Sequence, residues 1–124
     1  MIDHLSIGVD DLRRSMGFYD AVLAPLGFER LWIIEKGAGY GPPGGQDKLA
    51  IFVREEPRGS AVLPGFHLAF TAPSRAAVDA FHAAGLKAGG TDCGAPGERP
   101  HYAPGYYAAF LIDPDGWKVE AVVQ

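Results

Sequence analysis

The sequence predicts an α+β fold in which two tandem βαβββ modules share a curved mixed sheet with their helices on its outside. The first observation is an internal repeat at an offset of 63 residues, in which segment 2–7 (IDHLSI) matches segment 65–70 (GFHLAF) and both carry a histidine at the same place. The second is the order of patterns in each half, where a short alternating run precedes a helical stretch and further strand-like runs. We place module one at about residues 1–54, a linker at about 55–64 and module two at about 65–124.

The first strand and the first helix of module one follow from local patterns. In segment 5–9, apolar residues alternate with a serine and a glycine, as in a half-buried strand. Asp10 or Asp11 can cap the next helix by accepting hydrogen bonds from its free backbone N–H groups. An apolar stripe at helical spacing defines this helix, and it consists of Leu12, Met16, Tyr19, Leu23 and Leu26. The Pro-Leu-Gly sequence at 25–27 ends the helix.

Three further segments complete module one. Residues 31–35 and 48–53 are rich in apolar and β-branched residues and indicate strands. Between them, the Gly-Ala-Gly sequence at 37–39 predicts a flexible bend, and residues 41–45 (GPPGG) predict a loop. The glycine-rich region 37–45 as a whole is predicted to be either a mobile lid or the loose end of a hairpin.

Module two repeats this order of elements. Residues 66–71 indicate a strand, and Ser74 is a good cap for a helix that ends at Gly85. The apolar face of this helix consists of Val78, Phe81 and Ala84. Residues 85–102 contain many loop-forming residues and predict a loop with a short strand near 86–88.

A hairpin closes module two. Residues 106–112 and 118–123 indicate strands, and the Asp-Pro-Asp-Gly sequence at 113–116 is a typical signal for the turn between them. Each module therefore has the order βαβββ. Because one such unit cannot bury its apolar face alone, we expect the two modules to pair into one sheet system.

Side-chain alternation places three potential metal ligands on the side of the sheet that faces away from the helices. These are His4 on the first strand, His67 on the fifth and Glu120 on the last. Many of their neighbours on that face are small or polar, which leaves room for a ligand. Two neutral imidazoles and one carboxylate suit a divalent ion with open positions for water or substrate. The alternative is that both histidines are hydrogen-bonded strand residues and that Glu120 is solvated.

With these residues the chain resembles the vicinal oxygen chelate superfamily, which includes glyoxalase I, extradiol dioxygenases, fosfomycin-resistance enzymes and bleomycin-binding proteins. The resemblance covers essentially the whole chain. Its carriers are His4, the RSMGFY segment at 14–19 leading to LGF at 26–28, His67, and the ending FLIDPDGWKVE at 110–120. The FY and LGF signatures together with DPDG and the following glutamate are fairly specific.

The resemblance implies a cup of two βαβββ modules around one divalent metal ion. The first-strand ligand of the family corresponds to His4, the fifth-strand ligand to His67 and the last-strand carboxylate to Glu120. In the family the ion holds two oxygens of a small-molecule substrate and stabilises an enolate or related oxyanion as a Lewis acid. Iron, zinc, manganese, nickel and cobalt all suit such a site. The resemblance also implies a homodimer, which would cover exposed sheet edges.

One position departs from the glyoxalase I pattern. Four-ligand members have a further carboxylate or amide on the last strand of module one. Aligning Lys48-Leu49-Ala50 with Lys118-Val119-Glu120 puts Ala50 at that position. The fourth ligand and the usual carboxylate base are therefore missing, so glyoxalase I activity is not expected. The remaining set is closer to the dioxygenase and thiol-transferase branches.

A loop before the seventh strand carries further candidates for the rim of the cup. Arg99 can bind an anion, His101 can act as acid or base, and Tyr102 or Tyr107 can donate a hydrogen bond. Phe52 is assigned to the wall of the cup. The predicted catalytic residues are Glu120, His101 and Tyr107. The predicted substrate-binding residues are Arg99, Tyr102 and Phe52. The alternative is a loop whose rings pack locally and whose charges are solvated.

Composition limits the function classes. The net charge is −4 and no cluster of Lys and Arg exists, which argues against nucleic acid as a partner. Apolar runs are too short for a membrane span, the start lacks a signal-peptide pattern, and Cys93 is the only cysteine, so we expect a cytoplasmic protein. We expect a metal-dependent lyase, isomerase or dioxygenase acting on an oxygen-rich small molecule. The alternatives are a metal-free drug-binding resistance protein and an accessory domain with a vestigial site.

Overall fold

The computed structural model describes all 124 residues and confirms two tandem βαβββ modules. In chain order the elements are β1 (Leu5–Val9), α1 (Leu12–Leu23), β2 (Glu29–Ile34), β3 (Gly37–Gly41), β4 (Leu49–Val53), β5 (His67–Thr71), α2 (Arg75–Lys87), β6 (Thr91–Glu98), β7 (Tyr107–Ile112) and β8 (Lys118–Val123), with a 3₁₀ turn at Ala24–Leu26. Residues 54–66, between β4 and β5, contain no helix or strand. Neither helix has the length and apolar character that crossing a lipid bilayer requires.

Each module has its own four-stranded mixed sheet, with strand orders β1-β4-β3-β2 and β5-β8-β7-β6. In both sheets the first and last strands of the module are parallel and the other pairs are antiparallel. The registers also correspond, because Ser6 lies opposite Ala50 just as Ala69 lies opposite Glu120. No strand pair joins the two sheets, so β1 and β5 are edge strands instead of neighbours in one sheet system.

Both modules contribute to one apolar core. Helices α1 and α2 pack against their own sheets and also against each other. The core is a single cluster that includes buried residues of both helices and both sheets, and its largest members are Tyr19, Tyr40, Phe18 and Phe81. The helices therefore lie side by side within the chain, and not apart on the outside of a common sheet. The helix-free face of each sheet lies outside this core.

The glycine-rich segment of module one differs from its prediction. Residues 37–41 form β3, in which every residue is buried, and not a bend or a mobile lid. A Cβ atom on Gly39 would overlap the Trp32 ring, and one on Gly37 would overlap the Phe52 ring. Because these glycines have no side chains, two aromatic rings can pack directly on the backbone of the strand. In a sequence, such a glycine cannot be told from one that permits a turn.

Module two also has a strand where the sequence predicts a loop. Helix α2 continues to Lys87, and β6 follows at Thr91–Glu98 in place of a loop with a short strand at 86–88. Strand β6 is an edge strand that pairs with β7, and its register shifts on both sides of Gly94. Edge strands with bulges tolerate proline, which central strands exclude. The composition of this segment therefore conceals the strand.

The predicted helix caps are present. The Asp11 carboxylate accepts a hydrogen bond from the Arg14 backbone N–H at 3.0 Å, and the Ser74 hydroxyl accepts one from the Ala77 N–H at 3.1 Å. The neighbouring Asp10 instead accepts hydrogen bonds from the backbone N–H groups of residues 58–59, in the segment between the modules. Of the two candidate caps for α1, Asp11 has that role.

The Asp-Pro-Asp-Gly turn connects the two modules. Asp115 is fully buried, and its carboxylate accepts hydrogen bonds from the Asp10 backbone N–H and from the Ser15 hydroxyl, both at 2.8 Å. Asp113 accepts a hydrogen bond from the Tyr19 hydroxyl at 2.6 Å. The turn that begins β8 is therefore fixed to the start of α1 in module one.

Candidate functional site

The centre of the candidate site is the carboxylate of Glu120. Strand β8 pairs with β5 on one side and β7 on the other, which leaves Glu120 opposite Ala69 and Phe110. Only 1% of Glu120 is exposed. Its Oε1 lies 3.1 Å from Nε2 of His67, and its Oε2 accepts a hydrogen bond from the Tyr106 hydroxyl at 2.5 Å. Both oxygens of the buried carboxylate therefore have a partner, as burial requires.

His67 connects this buried carboxylate to the surface. It is the first residue of the edge strand β5, and half of its side chain is exposed. The ring borders an open cavity of about 350 Å³. The cavity is lined by His67, Tyr102, Tyr106, Phe110, Lys118 and Glu120. A ligand in this cavity would reach the imidazole and the carboxylate together.

Tyr106 is a hydrogen-bond donor over the whole physiological pH range. Burial raises the pKa of its phenol to about 12, with a further contribution from the hydrogen bond to the Glu120 carboxylate. A phenol with such a pKa stays protonated near neutral pH. Tyr106 therefore holds Oε2 of Glu120 and leaves Oε1 to face His67.

His4 does not join these residues within one chain. More than half of its side chain is exposed, and its Nδ1 lies 2.7 Å from the Asp3 carboxylate. It borders a different cavity, of about 270 Å³, between the start of β1 and strand β5. No group of three or more His, Cys, Asp or Glu side chains is close enough to hold a metal ion. The chain thus brings together His67 and Glu120 and leaves His4 apart, because β1 and β5 belong to separate sheets.

The loop at 99–106 forms one rim of the cavity. The rings of His101 and Tyr102 are 4.3 Å apart, and Tyr102 packs edge-on against Tyr106 at 5.1 Å. Tyr102 lines the cavity, whereas His101 is exposed behind it. Arg99 lies over the ring of Phe110, with 5.6 Å between the guanidinium carbon and the ring centroid.

Tyr107 does not reach the site. Its hydroxyl donates a hydrogen bond to Asp79 at 2.6 Å, and its ring lies 4.8 Å from the Arg75 guanidinium, both on α2. The residue that does contact Glu120 is Tyr106, which the sequence analysis did not select. Alternation was the missed signal: Phe110 is the hairpin partner of Glu120, so even-numbered residues of this segment face the carboxylate and Tyr107 faces the helix.

The helix-free face of the first sheet has a different character. Phe52 is 39% exposed there, and its ring lies 5.9 Å from that of Trp32. Phe52 does not line the Glu120 cavity within one chain. Ala50 is buried and occupies the register position that corresponds to Glu120. This face therefore offers aromatic surface, and position 50 supplies no counterpart to the Glu120 carboxylate.

Comparisons with known proteins give a consistent result. Residues 1–121 match the family model described as the Glyoxalase/Bleomycin resistance protein/Dioxygenase superfamily. A glyoxalase/bleomycin resistance protein from Albidiferax ferrireducens T118 is 36% identical, with a TM-score of 0.82 over 98% of this chain and 96% of that one.

Two more distant structures share the fold. A family enzyme from Burkholderia phytofirmans PsJN is 21% identical, with a TM-score of 0.71 over 98% of this chain and 96% of that one. The fosfomycin resistance protein FosX from Listeria monocytogenes is 16% identical, with a TM-score of 0.69 over 98% and 91% of the two chains. No curated protein sequence matches.

Proposed function

Because the chain belongs to the glyoxalase/bleomycin resistance protein/dioxygenase superfamily, we propose that it is a small enzyme that uses one divalent metal ion to act on an oxygen-rich small molecule. The reaction class is lyase, isomerase or dioxygenase. The observation that carries this proposal is the pair formed by the buried Glu120 carboxylate and the half-exposed His67 imidazole at an open cavity. A buried carboxylate beside an imidazole that solvent can reach is a suitable start for a metal site.

The donor atoms of the three proposed ligands fit a divalent ion. His67 would supply one nitrogen, Glu120 one oxygen, and His4 a second nitrogen. When bound, the ion would supply Lewis-acid chemistry to oxygen atoms of the substrate. Iron, zinc, manganese, nickel and cobalt all accept this donor set, and metal supply selects among them. Ala50 in place of a fourth ligand argues for a branch of the family other than glyoxalase I.

A homodimer would bring His4 to the other two ligands. Strands β1 and β5 are both edge strands. His4 directly precedes β1, and His67 is the first residue of β5. Exposed edge strands favour pairing with another chain. If a twofold axis paired β1 of one copy with β5 of the other, the same contact would form twice, and His4 of each copy would face the His67–Glu120 pair of its neighbour. The exposed apolar side chain of Ile2, just before β1, supports an interface at this edge.

The remaining residues have positioning and binding roles in this proposal. Tyr106 fixes the Glu120 carboxylate, and Tyr102 supplies an aromatic rim with His101 behind it as the candidate acid or base. In the homodimer, the first sheet of the second copy would bring its Phe52 to the same cavity. The exposed, unpaired Cys93 suits the reducing cytoplasm, which is the compartment we propose.

Metal content of the purified, untagged protein tests this function. We expect close to one ion per chain in the parent, measured by inductively coupled plasma mass spectrometry, and little in His67→Ala. His101→Ala is the matched control, since it removes an imidazole from the same cavity rim and should retain the metal. Equal metal content in all three proteins, or none after reconstitution with each candidate ion, would refute the proposal.

A second candidate function has its own observation. The Trp32 and Phe52 rings lie over Gly39 and Gly37 of β3, with their planes tilted by 40°, and an aromatic ring on this face can stack on a planar ligand. A metal-free small-molecule-binding resistance protein would use this face. The Trp117→Phe variant leaves Trp32 as the only tryptophan. Quenching of its fluorescence by planar aromatic cations, to the same extent with and without EDTA, would favour this function. Loss of ligand binding on chelation would favour the enzyme.

A further inference from the structure

We infer that the cavity beside Glu120 selects substrates with a separate anionic group, a carboxylate, phosphate or phosphonate, which Lys118 and Arg99 bind across the ring of Phe110. This inference rests on the proposed function, because it adds a substrate class to the same cavity. Lys118 thereby has a binding role and shares one site with Arg99.

The position of Lys118 follows from the strand register. In the parallel β5–β8 pair, Lys118 lies opposite His67, and it lies two residues before Glu120 on the same face of the strand. Its Nζ is 5.0 Å from the centroid of the Phe110 ring. Lys118 thus projects over the cavity wall beside the proposed metal-binding pair.

Arg99 approaches the same ring and is held by the backbone. Its guanidinium carbon is 5.6 Å from the Phe110 centroid, and its Nη2 donates a hydrogen bond to the Ala95 carbonyl at 2.8 Å. A Cβ atom on Gly97 would lie 3.1 Å from the guanidinium, and one on Gly94 would lie 3.4 Å from it. The two glycines of β6 leave this space for the Arg99 side chain.

Neither cation is neutralised by a protein carboxylate. Lys118 and Arg99 take part in no ion pair of the chain. Glu98, the residue before Arg99, pairs with Arg75 of α2 at 2.9 Å. Glu120 is the only carboxylate that lines the cavity, and both of its oxygens are already engaged. Two free cations over one aromatic ring, on a chain with a net charge of −4, form a local positive potential that attracts anions.

The strand spacing limits the size of the substrate. Residues two positions apart on a strand have Cα atoms roughly 7 Å apart, and the Lys118 side chain reaches over Phe110, the strand partner of Glu120, so the anionic group would lie within about that distance of the oxygens held at His67 and Glu120. This distance suits a compact molecule with its oxygen donors at one end and its anionic group at the other. The planar guanidinium of Arg99 can donate two parallel hydrogen bonds, and the ammonium of Lys118 acts as a point charge. Together they can bind either a planar carboxylate or a tetrahedral phosphonate.

Anion binding to metal-free protein tests the inference directly. The probes are acetate and methylphosphonate, with acetamide as the neutral analogue of acetate, and dissociation constants come from nuclear magnetic resonance titrations that follow the backbone amides. We expect Lys118→Met to weaken the binding of at least one anion about tenfold, Lys118→Arg to stay within about threefold of the parent, and acetamide not to bind at this site. Lys87→Met, at the exposed end of α2, is the charge-matched control.

The outcomes separate this inference from the proposed function. Equal anion affinities in Lys118→Met and Lys87→Met, or equal binding of acetamide and acetate, would overturn the inference whatever the metal content. Weaker binding in Lys118→Met would support it, and the preferred probe would identify carboxylate or phosphonate as the group. Metal content, measured separately in His67→Ala, decides the proposed function without reference to the anion.

Discussion

At the scale of single residues, two adjacent tyrosines have opposite environments. Tyr106 donates to the buried carboxylate of Glu120, and Tyr107 donates to the exposed carboxylate of Asp79. Removing a donor from a buried carboxylate leaves an unsatisfied charged group, whereas water replaces a donor lost at the surface. The two positions therefore form a matched pair for measuring how much the free energy of unfolding falls when the Glu120 carboxylate loses one hydrogen-bond donor.

We expect Tyr106→Phe to lower the free energy of unfolding by about 1–3 kcal/mol and Tyr107→Phe to lower it by less than about 0.5 kcal/mol. Urea unfolding at neutral pH, followed by circular dichroism, measures both. Equal losses in the two variants would show that Glu120 does not depend on the Tyr106 hydroxyl.

Asp10 gives a pH dependence of known sign. Hydrogen bonds from the backbone of Arg58 and Gly59 and from the Arg54 side chain lower its pKa from 3.8 to about 2, against an opposing effect of burial. Because the folded pKa is the lower one, the unfolded chain binds the proton more readily, and the stabilisation is present above about pH 4 and lost as pH falls towards 2.

We expect the difference in urea midpoint between the parent and Asp10→Asn to be largest at pH 5–7 and to shrink steadily between pH 4 and pH 2. Glu56→Gln, on the exposed segment between the modules, is the control and should show no comparable trend. A difference that stays constant across this range would mean that the charge of Asp10 does not contribute.

At the scale of secondary-structure elements, β3 shows how a glycine can serve packing. The Trp32 ring occupies the space that a side chain at position 39 would need. We expect Gly39→Ala to displace this ring and to lower the free energy of unfolding by about 1–3 kcal/mol, as overpacking does. Thermal unfolding and Trp32 fluorescence in a Trp117→Phe background measure the two effects.

A solvent-exposed glycine with no neighbouring side chain is the control for that experiment. Gly17 lies within α1, and a Cβ atom there would meet nothing within 4 Å. We expect Gly17→Ala to stabilise the protein by up to about 1 kcal/mol, because alanine favours the helix. Similar responses at positions 17 and 39 would contradict the packing role of β3.

Elements with a local signal could be predicted from the sequence, and those fixed by distant partners could not. The strand at 118–123 and the cap at Ser74 follow from alternation and from one hydroxyl, and both are confirmed. Strands β3 and β6 were missed because their glycines are typical of turns and loops, and only pairing with β2, β4 and β7 fixes the two segments as strands. No local pattern reports such pairing.

The candidate site divides in the same way. Alternation correctly puts His67 and Glu120 on one face, and their parallel strands bring them to 3.1 Å. Alternation gives the face of a strand but not the sheet to which it belongs, so it could not show that His4 lies in a different sheet. The register of the last hairpin distinguishes Tyr106, on the same face as Phe110 and Glu120, from Tyr107 on the opposite face.

At the scale of the whole molecule, the Asp-Pro-Asp-Gly turn joins the modules through buried carboxylates. We expect Asp115→Asn to lower the free energy of unfolding by about 3 kcal/mol, because it removes a buried charge that faces Arg14 and Arg54. Calorimetry checks this value, and it should show a single transition for both modules in the parent. A loss no larger than that of Glu56→Gln would exclude a joining role for Asp115.

The dimer proposal makes a separate prediction for mixed oligomers. His4→Ala and His67→Ala homodimers should each bind little metal. A mixed dimer of one chain of each kind would have one site with both substitutions and one site with neither, so we expect about half of the parental metal content. Differently tagged chains allow purification of the mixed dimer. A mixed dimer as empty as the homodimers would place all three ligands of each site in one chain.

The matching registers of the two sheets also have an evolutionary consequence. Where module two carries Phe110 and Glu120 opposite each other, module one carries Gly39 and Ala50. The corresponding positions of the repeat therefore differ in role: module two has an ionisable group there, and module one has small residues, with the Trp32 ring over Gly39. Alanine and glutamate codons can differ by a single base. A single base change in the codon of Ala50 can therefore place a carboxylate at the position of module one that corresponds to Glu120.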